Sequence, residues 1–309
     1  MYSLFSAYEN CTLCPRNCGA HRTVGGTGFC RETASIRAAR AALHMWEEPC
    51  ISGTKGSGTV FFSGCNLGCI FCQNEPISSS RIGKELTVDD LCQIYLTLQD
   101  KGANNINLVT PSHFVPHIVV SLEKAKHQGL SIPIVYNTGS YEKVETLHML
   151  DGLIDVYLPD LKFYHSSVSK EYCHACDYYE VAGAAIAEMY RQTGPCQFLK
   201  ERNAANPEQM MTKGVMVRHL LLPGLEEDAF FLLKQLYTTY GNHIYLSIMS
   251  QYTPMPHMQN HKTLSQSVNY RIYDQLLDRL IDLGIENAYI QEEGVNKDSF
   301  IPLFDYEGL

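Results

Sequence analysis

Three closely spaced cysteines, Cys65, Cys69 and Cys72, carry the clearest chemistry in this chain. They stand in residues 59–74, T-V-F-F-S-G-C-N-L-G-C-I-F-C-Q-N, directly after an apolar run that ends in Ser63-Gly64. Thiolates suit zinc and iron–sulfur iron, and closed structural sites of either kind take four protein ligands. A loop that offers three leaves one metal position for something other than its own cysteines. An open position marks a site that binds substrate or cofactor. The same spacing also fits three quarters of a zinc site completed from elsewhere in the chain.

A second group, Cys11-x2-Cys14-x3-Cys18 followed by Cys30, has Gly19, Gly25, Gly26 and Gly28 between its members. Four thiolates form a complete set for zinc or for a second iron–sulfur cluster, and glycines let the backbone wrap closely around a metal. The alternative is four independent buried or reactive thiols. Cys173 and Cys176 form a C-x2-C, but no further paired ligands follow, which disfavours a third metal or redox pair. Cys50, Cys92 and Cys196 stand alone and read as small buried hydrophobes. His113 and His117 are four apart, yet Pro116 argues against one regular helix through both and so against a zinc pair. Neither glycine-rich stretch is a nucleotide loop. Residues 25–28 follow no strand, and residues 53–58 lack the Walker order and precede a strand, which makes them a turn.

The elements that must position these residues follow from length and pattern. At 309 residues, 45% hydrophobic and 18% charged, the chain is that of a globular protein able to bury a large core. No run approaches the roughly 18 apolar residues of a membrane helix, and residues 1–9 lack a secretory signal, so a cytoplasmic protein is expected. Twelve cysteines in such a chain point to metal or redox chemistry, in a well-reduced or anaerobic cytoplasm, rather than to disulfides. A formal net charge of -9 argues against general nucleic-acid binding. Arg16, Arg22, Arg31, Arg37 and Arg40 give the first segment a local basic excess, which reads as a solvated surface, with docking of an acidic partner as the alternative.

From residue 59 onward, apolar strand-like runs at 59–62, 106–109, 134–136, 154–158, 215–222 and 244–248 alternate with helical patterns, and a short seventh run lies at 288–290. Continuous apolar strands belong to a parallel sheet covered on both faces. Thr87 can cap a helix that buries Leu91, Ile94, Tyr95 and Leu98, with Gly102 closing it. The last long helix carries Ile272, Tyr273, Leu276, Leu277, Leu280 and Ile281 as core residues. The pattern predicts an α/β fold, a partial (β/α)6 TIM-like barrel at 51–309, preceded by a cysteine-rich metal-binding segment at 1–50. A doubly wound sheet is the alternative. Either architecture puts its site beyond the C-terminal strand ends. The residues there are Thr110-Pro111-Ser112-His113, Asn137-Thr138, Asp160-Leu161-Lys162, Arg218 and Gln251. His113 is a candidate active-site residue by this rim position.

C-x3-C-x2-C with Phe71 before its third cysteine, after a first strand, resembles the radical S-adenosylmethionine (SAM) enzymes. With C-T-L-C-P-R-N-C-G, L-V-T-P-S-H-F, Y-N-T-G-S-Y-E, D-V-Y-L-P-D-L-K-F, V-R-H-L-L-L-P-G and M-S-Q-Y-T-P, the chain looks like the PflX group, relatives of pyruvate formate-lyase activating enzyme. The resemblance implies that Cys65, Cys69 and Cys72 ligate a [4Fe-4S] cluster whose fourth iron takes SAM, and that Phe71 contacts the adenine. It implies SAM contacts from Asp160, Lys162 and Arg218, and a monovalent cation beside Asn137, Thr138 and Asp160. The usual Gly-Gly-Glu after strand two is replaced by Thr110-Pro111-Ser112, so hydroxyls or carbonyls must hold the SAM amino group. The implied activity is that of a radical SAM oxidoreductase served by ferredoxin or flavodoxin, acting on a glycyl-radical enzyme. A small molecule or another protein residue as the target is the alternative, and a non-catalytic electron carrier is disfavoured.

Overall fold

The computed structural model describes residues 2–79, 82–199, 209–291 and 302–309. Within them the strands are β1 (Ile36–His44), β2 (Ser57–Phe62), β3 (Lys84–Leu86), β4 (Ile106–Val109) and β5 (Ile134–Thr138). Then follow β6 (Val156–Pro159), β7 (Gln197–Phe198), β8 (Met211–Leu220), β9 (Tyr245–Met249) and β10 (Ala288–Ile290). Neighbours along the sheet run β10-β9-β8-β6-β5-β4-β2-β1-β3, and β7 pairs with β8. From β2 to β10 the main path is parallel throughout. Strand order there follows chain order without the reversal that a doubly wound sheet requires. The fold is therefore a partial, open TIM-like barrel. Every residue of β2, β4, β5 and β6 is buried, as strands covered on both faces must be.

Three strands were not legible beforehand, the short β3 and β7 and the nine-residue β1. β1 pairs antiparallel with β2 from Ala38↔Phe62 to His44↔Ser57, with a bulge between Ala38 and Arg40. Residues 36–44 thus share the sheet of the barrel. Its other edge is covered by β3 and by the chain's end. The Ala41 N–H donates to the Glu307 carbonyl at 2.8 Å, and the Tyr306 N–H donates to that of Ala39 at 3.1 Å. Arg40 pairs with Asp305 at 2.7 Å and with Glu307, so the edge is not left open for another chain.

The helices carry the expected caps. Thr87 accepts the Asp90 N–H, and Asp90 reaches back to the Thr87 N–H, which starts Val88–Asp100 with Leu91, Ile94, Tyr95 and Leu98 buried. Val115–His127 starts with Pro116 in its first turn, while His113 lies in the preceding single turn Ser112–Phe114. The last long helix, Tyr270–Asp282, buries Tyr273, Leu276 and Leu280, but Ile281 is 65% exposed. It falls on the flank of the stripe. Among the described residues no helix is long and apolar enough to cross a membrane.

Candidate active site at the C-terminal rim of the barrel

The cysteine loop leaves β2 through Gly64, whose φ of +81° suits glycine alone. A Cβ there would lie 2.6 Å from the Cys30 carbonyl oxygen and from Glu32 Cγ. Beyond it the backbone turns N–H groups toward sulfur. Leu67 N–H lies 3.4 Å from Cys65 Sγ, and Cys72 Sγ takes the Asn74 N–H and, at 3.6 Å, the Ser78 hydroxyl. Such donors favour the thiolate. Without a metal, burial pushes the Cys72 thiol up to about 12 and raises Cys65, so the set is desolvated and suited to a cation that strips the protons. Among the described residues no three His, Cys, Asp or Glu side chains stand close enough to hold one metal ion.

Cys65, Cys69, Cys72 and Phe71 line one cavity with Thr110, Asn137 and Thr138; Asp160, Lys162, Arg218 and Gln251 complete that rim. Asp160 is the centre of its charge network. Its Oδ1 accepts Arg218 Nε at 2.8 Å and its Oδ2 accepts Lys162 Nζ at 2.7 Å. Burial opposes its charge, but Arg218 and Lys162 together hold its carboxyl below the usual range. Arg218 also donates to Asn137 Oδ1 at 2.7 Å and to Glu47 Oε2 at 3.1 Å. Burial pushes Glu47 and Glu48 upward against the pull of Arg218. Cations and carboxylates so interleaved suit a zwitterion.

Ser112 and His113 are not among the residues lining this cavity. The Ser112 hydroxyl donates to the buried Glu142 carboxylate, which also receives Thr138 Oγ1 at 2.5 Å. His113 is 1% exposed, and burial lowers it to about 3, so its neutral ring donates from Nε2 to the Ser63 carbonyl at 2.6 Å. It buttresses the cysteine loop from behind. Thr110 is the only residue of the Thr-Pro-Ser stretch that lines the cavity, in the left-handed region at φ +57°.

Four features escaped the sequence reading. His44, Trp46 and Glu47, at and beyond the end of β1, line the cavity; nothing in their spacing announces it. Cys173 lies against Cys69 rather than pairing with the exposed Cys176, and its hydrogen bond, with burial, raises the Cys69 thiol. Glu142 is 2% exposed and serves three hydroxyls. Arg16, expected on a solvated surface, clamps the loop instead. It donates to the carbonyls of Asn66 (2.8 Å), Leu67 (3.2 Å), Cys173 (3.0 Å) and His174 (2.5 Å), and its guanidinium lies 3.9 Å from the Phe29 ring centroid. Cys11, Cys14, Cys18 and Cys30 lie in the segment that carries Arg16.

The open parallel barrel thus presents three thiols and an interleaved set of charges at its C-terminal rim. No family model matches the chain. It is similar to an uncharacterized protein, MJ0674, of Methanocaldococcus jannaschii, 25% identical over 295 residues that cover 91% of this chain and 77% of that protein. Among solved structures it resembles methylornithine synthase (PylB), with a TM-score of 0.50, 14% identity, and coverage of 87% and 71% of the two chains. The likeness to Streptococcus suis SuiB bound to S-adenosylmethionine has a TM-score of 0.49 at 13% identity, covering 74% of this chain and 48% of that one. The chain thus spans just under half the length of the SuiB chains it matches. At these identities the PylB likeness speaks to the fold.

Proposed function

We propose that this chain is a radical SAM enzyme, with a [4Fe-4S] cluster held by Cys65, Cys69 and Cys72. One observation carries the reading: three half-buried thiols share a cavity at the barrel rim with the Asp160–Lys162–Arg218 network. A cluster held there would supply one-electron reductive cleavage of SAM and, through it, hydrogen-atom abstraction from the substrate. The chain's part is to bind, orient and keep water out. Lys162 and Arg218 would hold the SAM carboxylate, Thr110 and backbone carbonyls its amino group, and Phe71 the adenine, all of them lining the cavity. A monovalent cation at Asn137, Thr138 and Asp160 would compete with Arg218 and Lys162 for the same oxygens, so the reading gives the positive charge there to these two side chains.

The finer reading is activation of a glycyl-radical enzyme in a reduced cytoplasm, with ferredoxin or flavodoxin as donor. Its support is the Asp160-x-Lys162 and Arg218 pattern of the PflX group, and a small molecule or another protein residue remains the second target class. The test is anaerobic reconstitution with iron and sulfide, reduction by dithionite, addition of SAM and quantification of 5′-deoxyadenosine. The nucleoside should appear and be lost in Cys69→Ala. A chain that binds its cluster yet forms no nucleoside with dithionite or with reduced flavodoxin overturns the reading.

A further inference from the structure

The buried carboxylates of the described residues differ in what faces them. Glu32 lies 3.6 Å from Arg37, Glu48 4.0 Å from Arg218, Glu188 2.8 Å from Arg191 and Asp228 2.6 Å from His165. Glu142 is buried as deeply, and among the described residues no basic side chain pairs with it. Its Oε1 accepts three hydroxyls instead, from Ser112, from Thr138 at 2.5 Å and from Tyr136 at 3.4 Å. Its buried Oε2 has no hydrogen-bond partner. Three donors on one oxygen solvate an anion, but neutral donors do not neutralise it. Burial raises the carboxyl to about 7, and a cation brought against the same wall would draw it down again.

Glu142 stands behind the wall of the rim cavity. It does not line that space, but Thr138 does, and the Thr138 hydroxyl commits its proton to Glu142. A hydroxyl has one proton and two lone pairs. One lone pair of Thr138 takes the Ser140 N–H at 3.2 Å, so what remains is an acceptor. The residue before it on β5, Asn137, also lines the cavity, with its Oδ1 held by Arg218 at 2.7 Å. Arg218 and Lys162 flank Asp160 on the next strand end. An α-amino acid carries its carboxylate and its ammonium on one carbon. With the carboxylate at Lys162 and Arg218, the ammonium falls to the neighbouring strand end, where Thr138 offers a lone pair and Glu142 a charge. Thr110 and backbone carbonyls add hydrogen bonds there but no charge.

We propose that Glu142, acting through Thr138, is the buried counter-charge for the α-ammonium of SAM. The inference rests on the radical SAM reading and makes Glu142 a positioning residue, since it touches no reacting atom.

Equilibrium dialysis against the cluster-loaded, unreduced chain tests it, because without an electron SAM stays intact. Three ligands are compared: SAM, decarboxylated SAM, which keeps the ammonium, and the analogue with hydrogen in place of the amino group. Glu142→Gln leaves an acceptor for the three hydroxyls and removes the charge. It should weaken SAM and decarboxylated SAM about tenfold and leave the deaminated analogue within about twofold of its wild-type affinity. Thr138→Val, which cuts the link and keeps the carboxylate, should show the same selective loss, and it decides the matter should Glu142→Gln not fold. Equal weakening of all three ligands marks Glu142 as a support of the fold and overturns the proposal, as does unchanged binding. An affinity that depends on potassium and not on the amino group gives the charge to a metal cation and overturns it too. A wild-type chain that holds its cluster and binds none of the three overturns the radical SAM reading itself, and the proposal with it.

Discussion

Glu142 and Asp160 show how a buried and a half-buried carboxylate in one barrel come to titrate in opposite directions. Asp160 lies between Arg218 and Lys162 and is held low, so its contribution to stability is present above the ordinary carboxylate range and is lost as pH falls through the lowered value. Glu142 receives only neutral hydroxyls from Ser112, Thr138 and Tyr136, and burial raises it from 4.5 to about 7. Its neutral form is the one the fold prefers. That contribution is complete below 4.5 and is lost as pH rises through about 7. Glu142→Gln removes the titration, so its stability relative to wild type should rise by roughly 3 kcal/mol between pH 4.5 and 8. Thermal unfolding of both proteins across that range checks it; a pH-independent difference would contradict the assignment. Arg16 makes a different kind of demand. Lysine keeps the charge but cannot span four carbonyls, so Arg16→Lys should cost about 2 kcal/mol in urea unfolding. It should also lower the iron retained by the Cys65–Cys72 loop after reconstitution, because Asn66 and Leu67 lose their tether.

Elements differed in how clearly the sequence announced them. The parallel strands were legible because burial on both faces leaves an unbroken apolar run, and the helix at Val88–Asp100 because its capping box and apolar spacing agree. β1 was not. Its sequence, I-R-A-A-R-A-A-L-H, is alanine-rich, with weak strand preference and two arginines, and pairing with β2 overrides that preference. The three loop cysteines and the Asp160–Lys162–Arg218 set were legible from type and position, since strand ends converge on one rim. Glu47, Cys173 and Arg16 were not, because each reaches the site across a long chain separation that no local pattern encodes. Gly64 links the strand to the site. It supplies the positive φ that turns β2 into the cysteine loop, and the Cys30 carbonyl fills the place of a side chain. Gly64→Ala should destabilise by more than about 2 kcal/mol and yield protein with little bound iron, measured by unfolding and metal analysis.

At the scale of the whole molecule, the opening segment and the closing residues form one edge of the barrel. β1 shields β2, which carries the cysteine loop. The C-terminal backbone pairs with Ala39 and Ala41, and Phe304 packs on Phe61 with ring centroids 5.7 Å apart. The same segment sends Glu47 into the cavity to meet Arg218, and Arg16 and His174 tie it to the far side of the loop. A chain beginning at residue 51 would expose β2 as an open apolar edge, remove Arg16 from the loop and leave Arg218 short of a carboxylate. Each loss falls on the same rim. We therefore expect residues 51–309 alone to lack a cooperative thermal transition and near-ultraviolet circular dichroism, while the full chain shows a single transition. A cooperatively folded 51–309 that still binds iron at the Cys65–Cys72 loop would show that the barrel is independent of the segment before it. The contacts of β1 argue the reverse: the cysteine-rich start is the wall against which the site is built.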